Sequence, residues 1–523
     1  MEILANNALL VRTKNPNKVT EVISKSKVIN EYQTNDGFGY EVAVHWTLGN
    51  AHILKNLGFK KVLSPILTKY DWPGIYKPFD HQRDTASFLT MHKRAFCLNQ
   101  QGTGKTSAVA WAADFLLKEQ AIKRVLVICP LSIMDCAWRS DLFKTVMHRR
   151  VGIAHGSKDT RTQVINSSAE FVIINYDGVE TVRDEIARGG FDLIVCDEST
   201  ALKNVKTRRW KVLNSLIRPE TWLWLLTGTP AAQSPEDAYG QARLVNPCAV
   251  PSYAGAWKDK VMIKISTFKW VPKPEATELV YKALQPAIRY RTEDCLDLPE
   301  QLITTRDIEM TPQQKKYYER LRKELLIQAA GEEVTAVNAA VKLGKLLQIA
   351  SGGIYSDTKE VIEFDCKNKL DELLDIVTQS SHKTLVFCAF RHSIETVQRH
   401  LSKHGISNEA IHGGVSAKKR TDIFNSFQKN KDPQVLVIQP QAAAHGVTLT
   451  AANTVCWFSP TTSAETYLQA NARVHRAGQK NPCLVVHLCS SPVEKQLYKA
   501  LESRTLVQKD LLNMYKSFLG GAL

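Results

Sequence analysis

The chain's 523 residues suffice for three or four domains, and 44% apolar with 23% charged residues is the composition of a soluble globular protein. Lys and Arg exceed Asp and Glu by 68 − 52 = +16, with a pI near 9.2, a balance that suits a polyanionic partner and equally a merely basic solvated surface. No apolar run nears the ~20 residues of a membrane span, Met1-Glu-Ile-Leu-Ala5 is no secretory signal, and eleven scattered cysteines without C-x-x-C offer neither disulfide framework nor zinc site, so a cytoplasmic protein is expected.

Residues 1–72 read as a small α+β domain. Lys27–Thr34 and Tyr40–Val44 flank Asn35-Asp36-Gly37, a hairpin turn in which glycine supplies positive φ cheaply, and Asn50–Leu57 reads as a short helix ended by Gly58. With nine Lys/Arg against six Asp/Glu, this segment suits DNA recognition or plain packing equally well. Tyr70-Asp-Trp-Pro-Gly74 then punctuates the chain, and Lys77-Pro-Phe-Asp-His-Gln82 follows. The Gln82 amide can both donate to and accept from adenine edges, although one Gln by itself means nothing.

The apolar run Arg94–Leu98 leads into Asn99-Gln-Gln-Gly-Thr-Gly-Lys-Thr106 and a helix-forming stretch to Lys118. Strand, glycine-containing loop and helix start, in that order, form a phosphate cradle: backbone N–H groups and the positive helix end face an anion. Gly102, Thr103 and Gly104 would line it, Lys105 would reach the β/γ-phosphates of ATP, and the Thr106 hydroxyl would ligate Mg²⁺. The first glycine of the usual pattern is Asn99 here. An ordinary strand-to-helix turn is the competing reading of this loop alone.

From 94 to about 230 short apolar strands (Val125–Cys129, Phe171–Asn175, Phe191–Cys196, Trp222–Leu226) alternate with helical stretches, the pattern of a parallel sheet covered on both faces. Ligands bind at the carboxyl ends of such strands, where Pro130, Asn175, Asp197-Glu198 and Thr227-Gly-Thr-Pro230 fall. Asp197 suits the metal, and Glu198 suits the base that activates the attacking water. Lys264-Ile-Ser-Thr-Phe-Lys-Trp-Val-Pro-Lys273 interleaves Lys264 and Lys269 with Phe268 and Trp270: a DNA-contacting hairpin, or a solvated hairpin with an aromatic packed inward. Residues 275 to about 350 read as mostly helical, with Thr311-Pro312 as N-cap and first helical residue. A second alternating region runs from Asn368 through Thr384–Cys388, Gln434–Ile438, Thr454–Phe458 and Leu484–Leu488. It has no phosphate loop but carries Gln469-Ala-Asn-Ala-Arg473-Val-His-Arg476, with two arginines spaced to share one helical face.

This ordered set resembles the Swi/Snf-type ATPases of helicase superfamily two, most closely their small phage and bacterial members, over residues 77 to about 510. The resemblance implies two RecA-like parallel-sheet lobes, at 73–250 and 366–523 with a C-terminal helix, separated by a hairpin and helical insertion at 251–365. It makes Gln82 the adenine reader, Lys105 and Thr106 the Walker A pair, Asp197 and Glu198 the Walker B pair, and Thr227 and Thr229 part of the motif coupling hydrolysis to DNA. Pro130, Ser132, Asn175 and Arg420 would meet the DNA backbone, Gly446 would belong to motif five, and Arg473 and Arg476 would be arginine fingers, with Gln469 in the same motif. Motif two ends in Ser199-Thr200 where the family usually has Ala-His, which leaves open how it is linked to motif three. Motif five has Ala444-His445 where two glycines are commoner.

The implied protein is an ATP- and Mg²⁺-dependent DNA helicase or translocase on duplex, forked or four-way-junction DNA, working in replication, recombination or repair, in the host cytoplasm if phage-encoded. Protein partners are not legible. Two other readings stay open: an RNA or single-strand unwinding helicase, and an ATP-switched DNA-binding subunit of a restriction or defence assembly.

Overall fold

The computed structural model describes residues 1–503 except 6, 35–36, 232–233, 267–268, 296, 332–335, 357, 359 and 444–446. The chain forms two compact units, one of Met1–Ala231 with Pro235–Arg291 and one of Ala232–Ser234 with Thr292–Leu523. No described helix is long and apolar enough to cross a membrane.

The first unit opens with a four-stranded antiparallel sheet of β1 (Glu2–Ala5), β2 (Ala8–Thr13), β3 (Ser26–Thr34) and β4 (Gly37–His45), in the order β1-β2-β4-β3. The β3–β4 hairpin lies where the sequence predicts it, and its turn residues Asn35 and Asp36 fall outside the described residues. β1 and β2 are additions. Leu9, Leu10 and Val11 of β2 are buried in succession, so the strand lacks the period of two that would have marked it. The helix Leu48–Asn56 is capped by the Thr47 hydroxyl and followed by Gly58 at φ +89°. Leu48 and Ala51 of this helix pack, with Ile66 and Tyr70, into the core of the main sheet, so residues 1–72 join the rest of the first unit through a shared apolar layer.

The main sheet comprises β5 (Arg94–Cys97), β6 (Val125–Cys129), β7 (Val151–Ala154), β8 (Phe171–Asn175), β9 (Leu193–Asp197), β10 (Trp222–Leu226) and a strand near the end of the unit. Between them comes the antiparallel hairpin of β11 (Met262–Ser266) and β12 (Lys269–Pro272), and then the seventh strand, β13 (Ala287–Ile288). The order is β13-β5-β10-β9-β6-β8-β7 with every pair parallel. Near-continuous burial of β6, β8, β9 and β10 gives two core layers, one on each face. β9 starts two residues later than the sequence suggests, because Asp192 turns its carboxylate to the Lys123 N–H at 2.6 Å.

The stretch 251–365, expected as a separate insertion, is shared between the two units. β13 joins the first sheet, and β14 (Gln301–Asp307) pairs in parallel with the last strand of the second. β13 is too short and β14 too exposed to show an apolar run. The second unit continues with the small antiparallel pair β15 (Gly353–Tyr355) and β16 (Val361–Glu363) and the strands β17 (Lys383–Phe387), β18 (Asn408–Ile411), β19 (Val435–Ile438), β20 (Ala452–Trp457) and β21 (Cys483–Cys489). Its parallel sheet has the order β14-β21-β20-β17-β19-β18. The helix Pro312–Gly331 begins as expected, with the Thr311 hydroxyl accepting from the Gln314 N–H. Eight of the ten described cysteines are buried, and burial pushes the Cys97 and Cys366 thiols up to about 11, so these two act as packed apolar groups.

Under the second sheet Lys369 Nζ meets Glu494 Oε1 at 2.6 Å, both essentially without solvent, and Glu494 also accepts from the Ser490 N–H and the Ser491 hydroxyl. Lys369→Met strands that carboxylate without its cation. It should destabilise the second unit by about 3–5 kcal/mol, read as a lower denaturant midpoint, whereas an unchanged midpoint would make the pair dispensable.

Candidate active site

The loop after β5 turns left-handed at Gly102 (φ +85°) and Gly104 (φ +74°), and Gly104 is the N-cap of the helix Lys105–Lys118. A Cβ at Gly104 would stand 2.1 Å from Gln82 Nε2. Lys105 Nζ donates to Asn99 O at 2.8 Å and Gln100 O at 3.2 Å, and the Thr103 hydroxyl donates to Gln100 O at 2.7 Å. Thr106 is half-buried in the first helical turn. The loop is braced from behind by the helix Asp80–Thr90: Thr103 O accepts from His81 Nε2 at 2.8 Å and from Gln82 Nε2 at 3.1 Å. Gln82 Oε1 meanwhile accepts from the Phe79 N–H at 3.0 Å. In this conformation the expected adenine reader therefore holds the loop, with both ends of its amide engaged.

β9 delivers Asp197 and Glu198 to the same end of the sheet. Trp138 Nε1 donates to Asp197 Oδ2 at 2.9 Å, the Glu198 N–H to Oδ1 at 2.9 Å, and the Tyr176 hydroxyl to Asp197 O at 2.8 Å. Burial pushes the Tyr176 phenol well above its usual value, so it keeps the proton it donates. Trp138 arrives from a π-helical stretch, Met134–Arg139, a local form that recurs at functional sites. Glu198 itself is left-handed (φ 52°, ψ 54°), a conformation costing a side chain of this kind roughly 1–3 kcal/mol.

The loop after β10 lies against the phosphate loop: the Thr227 N–H donates to Cys97 O at 3.1 Å, and a Cβ built on Gly228 would stand 3.6 Å from Asn99 O. The Thr229 N–H donates to Thr227 Oγ1 at 3.2 Å. Because β5, β10 and β9 are neighbours, the lysine loop, the threonine loop and the carboxylate pair converge. Ser199 supplies the link that the sequence leaves open. Its hydroxyl donates to Gln241 Oε1 at 2.8 Å, and Gln241 Nε2 donates to Pro230 O at 2.7 Å and Asp237 O at 3.1 Å. Nothing in the spacing of Trp138, Tyr176 or Gln241 announces these roles.

Ser132 is exposed in the turn after β6, and Pro130 precedes it. Asn175, at the end of β8, accepts through Oδ1 from Arg161 Nη1 at 2.9 Å; Arg161 also donates to Ala154 O and Gly156 O. Lys264 is exposed on β11. Phe268 lies outside the described residues, as does the Lys269 side chain. Trp270 is half-buried against the first unit's core, with Lys258 Nζ 4.5 Å from its ring centroid. A cavity of about 710 Å³ lined by His52, Lys93, Arg218 and Trp222 lies at the opposite, amino ends of the strands.

In the second unit Arg473 and Arg476 do not share a helical face. The helix Ala464–Asn471 ends before them: the Arg473 N–H bonds three residues back to Ala470 O, and His475 Nε2 is drawn to Pro299 O at 2.8 Å. The guanidinium groups converge all the same, both donating through Nη1 to Val447 O, at 3.5 and 3.3 Å. Gln469 is buried and donates to Glu465. Arg420 braces its own loop by donating to His412 O and Gly413 O. Gly446, with Ala444 and His445, lies outside the described residues.

Comparison with known proteins matches the SNF2-related domain to residues 76–358 and the helicase conserved C-terminal domain to residues 368–478. An uncharacterized ATP-dependent helicase of Mycoplasma genitalium is 24% identical over 80% of this chain and 40% of its own length. A protein of the Acyrthosiphon pisum secondary endosymbiont phage 1 is 25% identical over 84% of this chain and 99% of its own. A DNA repair and recombination protein of Saccharomyces cerevisiae is 22% identical over 74% and 46%. The chain thus spans less than half of two of these relatives and nearly all of the third.

Gly104→Ala combines a disfavoured φ with a collision at Gln82. It should weaken Mg-ATP binding on the order of tenfold or more in an equilibrium titration, and wild-type affinity would show that the Gln82 brace is not needed.

Proposed function

The chain belongs to the SNF2-related family, and from this premise we propose that it is a DNA-dependent ATPase, a helicase or translocase of duplex or branched DNA, acting in fork remodelling or branch migration during replication, recombination or repair. The observation that carries the reading is the convergence of Lys105, the Asp197–Glu198 pair and the Thr227–Pro230 loop on three adjacent strand ends. DNA is favoured over RNA by the name of the yeast relative, and the +16 charge balance suits either polyanion.

The backbone N–H groups of the left-handed loop and the start of the helix would cradle the phosphates. Lys105 would exchange its two carbonyl partners for phosphate oxygens. Thr106 and Asp197 offer the hard oxygen donors that fit Mg²⁺, an ion that takes few protein ligands and would neutralise charge on the β/γ-phosphates when bound. Asp197 is suited to this because Trp138 and the Glu198 N–H fix its orientation. Glu198, set at an angle by its left-handed backbone, would take the proton of the attacking water. Arg473 and Arg476 are the cations assigned to the charge that develops on the transferred phosphate. The chain from Ser199 through Gln241 to Pro230 would carry the state of the carboxylate pair to the threonine loop. Ser132, Asn175 and Lys264 are assigned to the DNA backbone.

Steady-state ATP hydrolysis would be measured without nucleic acid and with single-stranded DNA, linear duplex, a four-way junction and RNA. Duplex or junction DNA should stimulate, and Lys105→Ala or Glu198→Gln should lower turnover at least about a hundredfold while DNA binding persists. A fully active Glu198→Gln protein would remove its role as base. Stimulation only by RNA or single strands, or none at all, would overturn the assignment to duplex or branched DNA.

A further inference from the structure

Asn99 occupies the position at which a Gly-x-x-x-x-Gly-Lys-Thr loop begins with glycine, yet its backbone has no positive φ that would call for one. Its side chain is committed instead. The residue is 1% exposed, Nδ2 donates to Thr85 Oγ1 at 2.8 Å, and Oδ1 accepts from the Tyr290 N–H at 2.9 Å. The partners dictate this orientation. A backbone N–H can only donate, and the Thr85 hydroxyl proton is already given to His81 O at 2.6 Å, so Thr85 Oγ1 must accept. The main-chain oxygen of the same residue holds Lys105 Nζ at 2.8 Å.

Tyr290 ends a segment that runs alongside β5 and continues beyond it. Pro286 O accepts from the Phe96 N–H at 2.9 Å, Ile288 O from Leu98 at 2.8 Å and Tyr290 O from Gln100 at 2.9 Å, so the ladder extends past Cys97 into the phosphate loop. The Tyr290 hydroxyl donates to Asp84 Oδ2 at 2.8 Å, on the same helix that carries Thr85. One residue later, at Arg291, the first unit ends. Residues 286–290 therefore splint the start of the loop, and Asn99 is the side chain that pins loop, splint and helix together.

We infer that Asn99 is a positioning residue: by locking the start of the phosphate loop to residues 286–290 and to Thr85, it sets the backbone from which Lys105 engages the nucleotide. The inference rests on the reading of this loop as an ATP site. Its consequence runs against the sequence pattern. Asn99→Gly, which completes the glycine pattern, weakens nucleotide binding, because it leaves the Tyr290 N–H without its acceptor and loosens the loop start at once.

The test titrates the full chain with Mg²⁺ and a slowly hydrolysed ATP analogue, with thermal melting alongside. Asn99→Gly should raise Kd about tenfold, the loss of a buried hydrogen-bond pair, and the near-isosteric Thr85→Val, which removes one partner only, about threefold. In a Lys105→Ala background Asn99→Gly should change Kd by less than about twofold, since the effect passes through that lysine. If Asn99→Gly loses its cooperative melt, Thr85→Val alone and in the Lys105→Ala background decides. Binding as tight as wild type in the glycine variant, or the same fold-loss with and without Lys105, overturns the inference alone. A wild-type chain that does not bind the analogue, or binds it equally well without Lys105, overturns the proposed ATP site and this inference with it.

Discussion

A backbone that must turn left-handed at Gly102 and Gly104 and then enter a helix at Lys105 leaves no room for a side chain between the loop and Gln82. The rest of the site in the first unit is arranged around that tight passage. Thr103 O is tied from one side by His81 and Gln82, the lysine is drawn over the loop by its own carbonyls, and the loop after β10 closes on the start of the turn through Thr227 and Gly228. Such a loop gathers N–H groups at a positive helix end without using any charged side chain except Lys105, so it can hold an anion at little reorganisation.

The carboxylate pair is built on the opposite principle, with local strain held by polar contacts. A left-handed Glu198 persists because its neighbours over-determine it: its own N–H is spent on Asp197 Oδ1, Trp138 and Tyr176 fix Asp197 from two directions, and Ser199 is anchored to Gln241. Trp138, Tyr176, Asp197, Ser199 and Gln241 are buried, Glu198 is half-buried, and each donor has a named acceptor, so a change at one is felt at the others. The Gln241 amide has a single satisfactory orientation, since Pro230 O and Asp237 O can only accept, and this makes it a stiff connection between two loops far apart in sequence.

In the second unit two arginines three residues apart converge on one carbonyl, Val447 O, although the helix that the spacing implies has already ended. The turn that replaces it is stabilised by His475 on Pro299 and by Gln479, whose amide nitrogen donates to Ala452 O at 2.8 Å. Convergence here is a product of tertiary hydrogen bonds, and periodicity predicts the right neighbours from a helical geometry the chain does not adopt.

Local chemistry in the sequence already expresses β5, β6, β8, β9 and β10 as apolar runs, the Gly-x-Gly-Lys-Thr cradle, Asp197-Glu198 at a strand end, and β17, β19, β20 and β21 of the second sheet. These are legible because period, glycine and charge act over a few residues. Tertiary packing fixes the order β5-β10-β9, which brings residues from three loops into contact, and the membership of β13, too short, and β14, too exposed, to be strands except by pairing with a partner. It also decided the roles of Trp138, Tyr176, Gln241 and Tyr290. The bonds from Trp138 and Tyr176 to Asp197, from Ser199 to Gln241 and from Tyr290 to Asn99 span 21 to 191 residues, a separation at which no spacing rule operates, and only the closing of the sheet fixes which donor meets which acceptor.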